Sequence, residues 1–526
     1  MGEVGAAWAK AVGVGGGAVF AGVGSLLVRS VVRRGQVDVF LVGFAAYIAI
    51  AVAALCAALA AVGPVHTALA IAGLEALHVV VHAPRAARPR FHKDHKPSPP
   101  PAELTPLSII DHFLELAEEG VFELKDFFSE WFYGADFDDI SRDSAHELSA
   151  YGFFYSRFGD LPASEQELIR TNVDKIERIM DRKFPTHGAK LPFIQHIWEP
   201  VKAAYQPFCV RLMTTLFNLV AYAFLTAWGF QRRTHNSVSF WIREAAPPPA
   251  GARRPLVAPE AAEGAAEGAA EGAAEGAAEG AAARPPPLLF FHGVGMGLIM
   301  YLPLVRNITA RLRGAGRARD VILLDMPHVS MRWTAHIPTF DNIADDVAEM
   351  VALMGYGRVD VAGHSYGSFC CARIIQKYPA LVRSSLLIDP VCFLLILPNI
   401  VSNFLIKGAR SPFKHGLSTF LRDFVRISFC SREEGIAYTF SRNFYWHQVC
   451  LWMNEVPART TVVLSSEDEL VPAKELMRYL HREKNREDFP GKQPRTIWLD
   501  GQNHAGFLGH PRLLREMAAE MTPAAP

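Results

Sequence analysis

The sequence has no excess of charge of either sign. Lysine and arginine together number 53 of the 526 residues, and aspartate and glutamate together also number 53. A nucleic-acid-binding surface needs a basic face that neutralises phosphates, and the sequence contains no long basic face. We therefore expect no nucleic acid among the partners of this protein.

Cysteine is also scarce. The seven cysteines are an odd number, they are scattered along the chain, and none has the spacing of a metal-ligand motif. Cys370 and Cys371 are adjacent, so on a helix they point to different faces. A disulfide framework is therefore not expected, and a reducing compartment is the better prediction. We predict neither a metal nor another cofactor.

Apolar residues, by contrast, make up 50% of the chain, which suggests a membrane portion. Three apolar runs lie within residues 1–96: Ala11 to Val28, Val37 to Val62, and the shorter Val65 to Val81, which contains Glu75 and His78. We interpret residues 1–96 as a membrane module with two to three transmembrane helices. The third run is either a span or a re-entrant or interfacial helix.

Basic residues set the expected topology of this module. One cluster, from Arg29 to Arg34, lies between the first two runs, and a second, from Arg85 to Lys96, follows the third run. With three spans both clusters fall on the same side of the membrane, as the positive-inside tendency requires. We therefore favour a multi-pass protein whose remaining chain is cytosolic, in an organelle that the sequence does not specify.

Residues 97–245 are rich in acidic and aromatic residues. Amphipathic patterns from Ile109 to Leu116 and from Glu165 to Met180 predict helices packed on the domain that follows, although a separate helical module is an alternative. The nearly uncharged stretch Leu212 to Phe230 predicts a helix at the membrane interface, across the membrane, or buried against protein. If it crossed the membrane, the chain beyond it would lie on the opposite side.

Residues 246–286 are predicted to form a flexible linker. Five Ala-Ala-Glu-Gly units fill residues 261–280, between proline clusters. Glutamate at every fourth position stacks like charges on one helical face, and each glycine weakens a helix by about 1 kcal/mol. We assign this segment no chemistry.

Short apolar runs alternate with helical patterns after the linker. Continuous apolar strands separated by helices indicate a mostly parallel sheet with helices on both faces. The predicted strands are residues 287–291, 321–325, 359–363, 385–389, 461–465 and 496–500.

The pentapeptide Gly363-His364-Ser365-Tyr366-Gly367 follows the third of these strands. Glycines two residues before and two residues after a serine permit a sharp turn from strand to helix. Such a turn holds the serine in a strained conformation and exposes its hydroxyl at the top of the sheet.

Three further motifs accompany this turn in residues 287–526. They are His292-Gly293 after the first strand, Ser-Glu-Asp-Glu-Leu-Val-Pro after a late strand, and Gly-Gln-Asn-His-Ala-Gly after the last. In this order the motifs resemble the α/β-hydrolase superfamily. Longer phrases around Leu323 and Ile388 resemble uncharacterised membrane-associated fungal and algal members of it. The resemblance implies an α/β-hydrolase fold with a lid at about residues 390–455, and serine chemistry.

The triad follows from this resemblance and from the chemistry of acyl transfer. Ser365 is the expected nucleophile, and His504 is the base that takes its proton. Asp468 is the expected acid that holds the imidazole in the correct tautomer, because the resemblance places the acid after the late strand. Asp389, at the end of an earlier strand, is the alternative acid, and Glu467 ranks third.

The backbone amides of Val294 and Tyr366 are the expected oxyanion hole. Other histidines near these motifs have simpler interpretations. His364 is expected to pack beside the nucleophile, and His292 to brace its loop. A structural hydrogen bond is the preferred interpretation of His328.

The lid is rich in aromatic residues, and a surplus that includes Phe444 and Trp446 is expected to line an apolar acyl pocket. The sequence therefore predicts a membrane-anchored serine hydrolase that cleaves carboxylic esters, with lipids or long-chain acyl esters as substrates and the bilayer as a partner. An acyltransferase or thioesterase with the same triad is an alternative. A membrane scaffold that keeps the fold without turnover is another.

Overall fold

The computed structural model describes residues 32–33, 36–37, 61, 63–86, 106–186, 190–245, 285–314, 319–334, 336–408, 411–415, 420 and 423–522. The predicted membrane runs Ala11 to Val28 and Val37 to Val62 lie almost entirely outside these residues, as does nearly all of the predicted linker. The prediction for these two runs is therefore neither supported nor opposed by the fold.

The fold is organised around one large mixed sheet. Its strands are β3 (Gln231–His235), β4 (Val238–Arg243), β5 (Leu288–Phe291), β6 (Val321–Asp325), β7 (Val359–His364), β8 (Val382–Ile388), β9 (Thr460–Ser465) and β10 (Arg495–Leu499), and a separate short pair is formed by β1 (Val32–Arg33) and β2 (Gln36–Val37). The order across the large sheet is β10-β9-β8-β7-β5-β6-β4-β3. Strands β5 to β10 are parallel, and the β3–β4 hairpin joins β6 in antiparallel register. All six predicted strands are present.

The β3–β4 hairpin corrects the predicted domain boundary. The sheet begins at Gln231, so the catalytic domain does not start at residue 287, and residues 246–286 lie between two strands of one sheet. Ile242 of β4 pairs with Ile322 of β6. The sequence did not reveal this because β3 is a polar edge strand, Gln-Arg-Arg-Thr-His, without an apolar pattern. We call β3–β10 and the helices packed on them the sheet domain.

Helices cover both faces of the sheet. The α-helices with their bounds are α1 (Pro64–Ala86), α2 (Pro106–Glu118), α3 (Leu124–Trp131), α4 (Arg142–Phe154), α5 (Ala163–Ile179), α6 (Phe208–Ala227), α7 (Leu302–Gly314), α8 (Phe340–Leu353), α9 (Gly367–Lys377), α10 (Pro412–His415), α11 (Glu434–Arg442), α12 (Trp446–Val449), α13 (Ala473–Leu480), α14 (Glu483–Asp488) and α15 (Pro511–Met521). Successive residues of a buried strand serve opposite faces: Leu289 and Phe291 join one core, and Leu288 and Phe290 join the other. Helices α7 and α15 pack on one face, and α8 and α9 pack on the other.

Helices α3 and α4 of the acidic and aromatic region pack on the lid, as predicted. The indole of Trp131 in α3 donates a hydrogen bond to the carbonyl of Ile396 (3.2 Å). The indole of Trp446 in the lid donates to the carbonyl of Gly152 in α4 (2.8 Å). Apolar residues of both segments belong to one continuous core. This packing argues against a separate helical module.

Helix α6 contains most of the stretch Leu212 to Phe230. It is the one helix among the described residues that is long and apolar enough to span a membrane, with a mean hydropathy of 1.6. One side of α6 is buried on the sheet domain, as one of the sequence-based alternatives proposed. The apolar stretch of α1, Val65–Val80, is shorter. A module with two to three transmembrane helices is therefore not confirmed by the described residues.

Candidate active site

Ser365 stands at the turn between β7 and α9. Its backbone adopts a left-handed conformation, with φ of 52°. For a residue with a Cβ atom this conformation costs of the order of 1–3 kcal/mol, which the surrounding structure must supply. The amide of Ser365 donates to the carbonyl of Ile388 (3.0 Å), and its carbonyl accepts from the Ser368 hydroxyl (2.6 Å). These contacts hold the serine in its strained position.

Glycines at this turn are required by close packing. A Cβ atom on Gly367 would lie 2.1 Å from the carbonyl oxygen of Phe291 in β5, and one on Gly363 would lie 2.7 Å from the carbonyl oxygen of Gly367. A Cβ atom on Gly293 would lie 3.0 Å from the Cβ atom of Ser365. The loop after β5 therefore approaches the serine as closely as a backbone can.

The structure brings the three predicted triad residues together. The Oγ atom of Ser365 lies 2.8 Å from Nε2 of His504. Nδ1 of His504 lies 2.7 Å from Oδ2 of Asp468. Both distances are those of hydrogen bonds, so the imidazole can take a proton from the serine while the carboxylate holds it.

Both oxygens of Asp468 are engaged. While Oδ2 faces His504, Oδ1 accepts hydrogen bonds from the amides of Leu470 (2.7 Å) and Val471 (2.9 Å). This fixes the carboxylate and the plane of the imidazole together. Glu467, the third-ranked candidate, is exposed on the surface and does not contact the imidazole in the described contacts.

Asp389, the alternative acid, occupies a different position. It is fully buried at the end of β8, and its oxygens accept from the amides of Ser465 (3.0 Å) and Ala505 (2.9 Å). Ser465 ends β9, on the strand that leads to Asp468, and Ala505 follows His504 directly. Asp389 therefore joins the two loops that carry the acid and the base.

The charges around His504 act in opposite directions. Burial lowers the pKa of the imidazole, but the negative charges of Asp468, Asp389 and Glu469 raise it by more, so the pKa lies above its ordinary value of 6.5. Burial, together with the charge of Asp468, raises the pKa of Asp389 to about 6. The site thus stabilises the imidazolium that forms when serine gives up its proton.

Asp389, Asp468 and His504 also form the one cluster of potential metal ligands found in the described part of the chain. One ligand atom from each lies within 4.8 Å of the others. The hydrogen bonds just described already account for this proximity. We assign no metal to the cluster.

The two amides predicted to form the oxyanion hole lie beside the serine. Val294 and Tyr366 both line the cavity at Ser365. Among the described hydrogen bonds, neither amide nitrogen has an acceptor. Both amides therefore stay the predicted donors to an oxygen bound in front of Ser365.

The remaining histidines of the motifs have structural roles, as predicted. His292 braces its loop by accepting from the amide of Met326 (3.1 Å), and His328 lies within hydrogen-bond distance of the Tyr366 hydroxyl (3.1 Å). His364 packs beside the nucleophile and contacts the Tyr301 hydroxyl (2.7 Å). Burial lowers the pKa of His292 to about 4, that of His328 to about 3, and that of His364 well below 6.5. They are therefore neutral near pH 7.

An apolar cavity of about 110 Å³ lies in front of Ser365. Its lid side is formed by Ile400, Phe404 and Phe440, and its polar exceptions include Arg426 and Glu469. The full lining is Val294, Met300, Tyr301, His364, Ser365, Tyr366, Val391, Ile400, Phe404, Arg426, Cys430, Phe440, Glu469, Leu470, Asn503, His504 and Ala505.

The predicted lining residues Phe444 and Trp446 do not reach this cavity. Phe444 is buried behind it, against Phe440 and Phe369, with ring centroids 5.6 Å and 5.2 Å away. Trp446 packs on the helical region through its bond to Gly152. The prediction of these two residues was wrong, because composition shows that a surplus of aromatic residues exists but not which of them face the cavity.

Comparison with known proteins matches most of the sheet domain to a family. A model described as the alpha/beta hydrolase family matches residues 288–517. This part of the chain belongs to the α/β-hydrolase superfamily. The β3–β4 hairpin lies outside the matched residues, but it completes the sheet of the sheet domain.

Two curated relatives and one solved structure are similar to parts of the chain. A 2-(acetamidomethylene)succinate hydrolase of Mesorhizobium japonicum is 30% identical over 105 residues, which are 20% of this chain and 35% of that protein. A poly(3-hydroxyalkanoate) depolymerase of Ectopseudomonas oleovorans is 31% identical over 94 residues, 18% of this chain and 31% of that protein. A bacterial membrane phospholipase A structure covers 58% of this chain and 90% of its own at 15% identity, with a TM-score of 0.34. The chain thus aligns with about a third of each curated relative. The narrower resemblance to fungal and algal members stays a prediction.

Two residues near the site were not predicted from the sequence. The Tyr301 hydroxyl accepts from the Gly293 amide (2.9 Å) and contacts His364, so it fixes the loop that carries Val294 of the predicted oxyanion hole. Asn218 of α6 reaches the same loop, since a Cβ atom on Gly297 would lie 3.0 Å from its Oδ1 atom. Neither residue belongs to a motif, and only the tertiary packing brings them to the site.

Proposed function

We propose that this protein is a membrane-anchored serine hydrolase that cleaves carboxylic esters of lipids or other long-chain acyl groups. The observation that carries the proposal is the hydrogen-bonded chain from Ser365 through His504 to Asp468 at a strained strand-to-helix turn. The family membership of residues 288–517 supports ester hydrolysis as the reaction class.

In the proposed first step, Ser365 attacks the acyl carbon and His504 takes the hydroxyl proton at Nε2. The carbonyl oxygen becomes an oxyanion, to which the amides of Val294 and Tyr366 donate. Asp468 accepts from Nδ1 of His504 and stabilises the imidazolium. When the carbon–oxygen bond to the leaving group breaks, the proton on Nε2 passes to the departing alcohol.

The second step releases the acid. His504, now neutral, takes a proton from a water molecule, and the resulting hydroxide attacks the acyl carbon bound to Ser365. The oxyanion forms at the same two amides. Its collapse returns the proton to Ser365 and frees the carboxylic acid, which restores the starting state.

The long-chain preference rests on the cavity. Apolar side chains from the lid, Ile400, Phe404 and Phe440, face Ser365 across it. Each methylene group that enters such a site contributes about 0.8 kcal/mol to binding. The membrane attachment rests on the apolar runs of residues 1–96 and on the apolar helix α6.

A fluorophosphonate probe tests the mechanism directly. We expect the wild-type chain to be labelled on Ser365, and Ser365→Ala to remain unlabelled while keeping its circular dichroism spectrum. Hydrolysis of an ester panel of graded acyl length then tests the substrate class. Labelling that persists in folded Ser365→Ala would remove the proposed mechanism. A preference for acetyl over decanoyl esters would remove the long-chain substrate.

A further inference from the structure

Helix α6 lies on the surface of the domain, but polar residues on its inner side face the protein and large apolar residues on its outer side are exposed. Its polar residues Arg211, Thr214 and Asn218 point toward the hydrolase domain and are 3%, 0% and 3% exposed. Its large outward residues are apolar, with exposures between 42% and 56%: Leu212, Leu216, Leu219, Val220 and Phe224. A helix bordering water has the opposite arrangement, with its apolar stripe on the core.

The inward polar residues have specific partners. Arg211 forms a buried ion pair with Glu433 of the lid (2.5 Å), and the Thr214 hydroxyl donates to the carbonyl of Met331 (2.9 Å). These contacts fix which side of α6 faces the protein. The orientation of α6 about its axis, with its apolar side outward, is therefore determined by these contacts.

Helix α1 repeats the inversion beside α6. Thr67 and His78 are buried, and Glu75 accepts from the amide of Phe208 at the start of α6 (3.0 Å). His78 donates to the carbonyl of Gln206 (3.1 Å). The apolar residues Val65, Leu69, Ile71, Leu74, Leu77, Val79 and Val80 are between 44% and 68% exposed. We call the outward sides of α1 and α6 the apolar face.

We propose that the apolar face is embedded in the hydrocarbon of one leaflet of a lipid bilayer, with α6 lying parallel to the membrane plane. Twelve large apolar side chains on two adjacent helices far exceed the scattered exposure that is normal on a soluble surface. In the sequence, the apolar runs Ala11 to Val28 and Val37 to Val62, which are predicted to cross a membrane, come directly before α1 and would bring this face to the bilayer.

The orientation follows from the buried side of α6. Its buried residues run from Val210 to Leu225, along nearly the whole helix, so its axis lies on the hydrolase domain. If α6 crossed the bilayer, the guanidinium of Arg232, which is 42% exposed and stacks on Tyr222 of α6, would enter hydrocarbon with it. Tyr205 and Trp333 are half-exposed near the start of α6, where side chains of this type favour the interface.

Two segments that contact α6 or the residues just before it also line the catalytic cavity. The segment Gly297–Tyr301 packs on α6 and supplies Met300 and Tyr301 to the cavity lining. On the lid side, Gln206 donates to the carbonyl of Ser428 (2.8 Å), within the segment Arg426–Ser431 that also lines the cavity. If the proposed ester hydrolysis holds, its substrate is an acyl ester taken from the leaflet that holds the apolar face.

Nitroxide labels on the full-length chain test the docking. Cys56 and the exposed Cys209 are replaced by serine, which leaves five buried cysteines. Single cysteines are then introduced as Leu69→Cys, Leu212→Cys or Leu219→Cys. The matched control is Leu353→Cys on α8, because Leu353 is 57% exposed and Leu219 is 56% exposed. Collision rates with oxygen and with a water-soluble nickel chelate are measured in phosphatidylcholine vesicles.

We expect the oxygen-to-nickel collision ratio to be several-fold higher at positions 69, 212 and 219 than at 353, with similar depths at 212 and 219. A ratio at 219 equal to that at 353 would show that the face borders water. Protection from both reagents would show that another segment or a second copy covers it. A steady depth gradient along α6 would show that the helix crosses the membrane. Each of these three outcomes overturns the proposal.

The same measurement on the Ser365→Ala chain separates docking from catalysis. We expect the collision ratios to be unchanged, since Ser365 does not contact α1 or α6 in the described contacts. Loss of fluorophosphonate labelling with intact ratios would remove the hydrolase while leaving the apolar face in place.

Discussion

At the scale of single residues, the two buried aspartates have separate tasks. Asp468 binds the imidazole of His504, whereas Asp389 binds the amides of Ser465 and Ala505. We expect Asp468→Asn to lower kcat by about 10⁴, because the amide favours the wrong tautomer of His504. Asp389→Asn keeps one oxygen acceptor, so its loss in kcat should be much smaller. Ester hydrolysis by the two purified variants checks this, and the reverse ranking would make Asp389 the acid.

The pH profile provides a second residue-scale prediction. His504 acts as a base only when neutral, and its pKa lies above 6.5, so the acid limb of kcat/KM should have its midpoint above pH 6.5. The charge of Asp389 helps to raise that pKa. Asp389→Asn should therefore move the acid limb to lower pH. The measurement is kcat/KM for a short ester from about pH 5 to about pH 9, a range that brackets the ordinary pKa of histidine. An acid limb that stays in place would show that Asp389 does not influence the base.

At the scale of elements, the lid supplies the aromatic wall of the cavity. Phe404→Ala and Phe440→Ala should flatten the rise of kcat/KM with acyl length, since each methylene contact is worth about 0.8 kcal/mol, or roughly fourfold. Phe444→Ala is the matched control, because Phe444 is an equally buried phenylalanine of the same cluster that does not line the cavity. The measurement is a series of esters from four to ten carbons, where about six methylenes are compared.

A control that flattens the series as strongly as Phe440→Ala would show that the effect comes from lid packing and not from the cavity wall. The aromatic lid then has a structural role only, and the acyl chain binds elsewhere.

The ion pair between α6 and the lid is the second element-scale feature. Arg211 meets Glu433 in a fully buried position, and Glu433 also caps α11 by accepting from the amide of Ile436 (3.0 Å). Arg211→Met leaves a buried carboxylate without its cation, which costs about 3–5 kcal/mol. The further change Glu433→Gln removes that charge and keeps a cap acceptor, so the double variant should be more stable than Arg211→Met alone. Thermal unfolding midpoints in detergent check this order.

If the double variant unfolds at a lower temperature than Arg211→Met, the two losses add and the pair is not coupled. Glu433 would then act mainly as a helix cap.

At the scale of the whole molecule, the sequence predicted the features that depend on local pattern. The six parallel strands were readable because each is a short apolar run, and Ser365, Asp468 and His504 were readable because each follows a strand within a motif. The sequence did not predict β3, whose polar residues lie at a sheet edge. The sequence also did not predict which side chains face the cavity. Phe440 lines it and Phe444 does not because of how the lid packs on α9 and the helical region.

Residues 246–284 are inserted between β4 and β5, so we expect the sheet to stay assembled when the chain is cut within them. Strand β4 is paired with β6 over five residues, so the two sides of the insertion are held together by the sheet itself. We expect a chain with a protease site placed between Gly268 and Ala269 to be cut without falling apart. Both pieces should co-elute in detergent, retain ester hydrolysis, and separate only in denaturant. Dissociation with loss of activity would show that the hairpin is held by the intact chain.

Because the sheet holds both sides of the insertion, the number of Ala-Ala-Glu-Gly repeats can change without disturbing the fold. Doubling the length of a flexible connection raises the entropy cost of closing it by only about 0.6 kcal/mol. Copies of the Ala-Ala-Glu-Gly unit can therefore be gained or lost, by the slippage to which repetitive coding sequences are prone, without moving Ser365 relative to His504. The fold therefore tolerates insertions of different length at this position, and the length of the repeat does not affect the reaction.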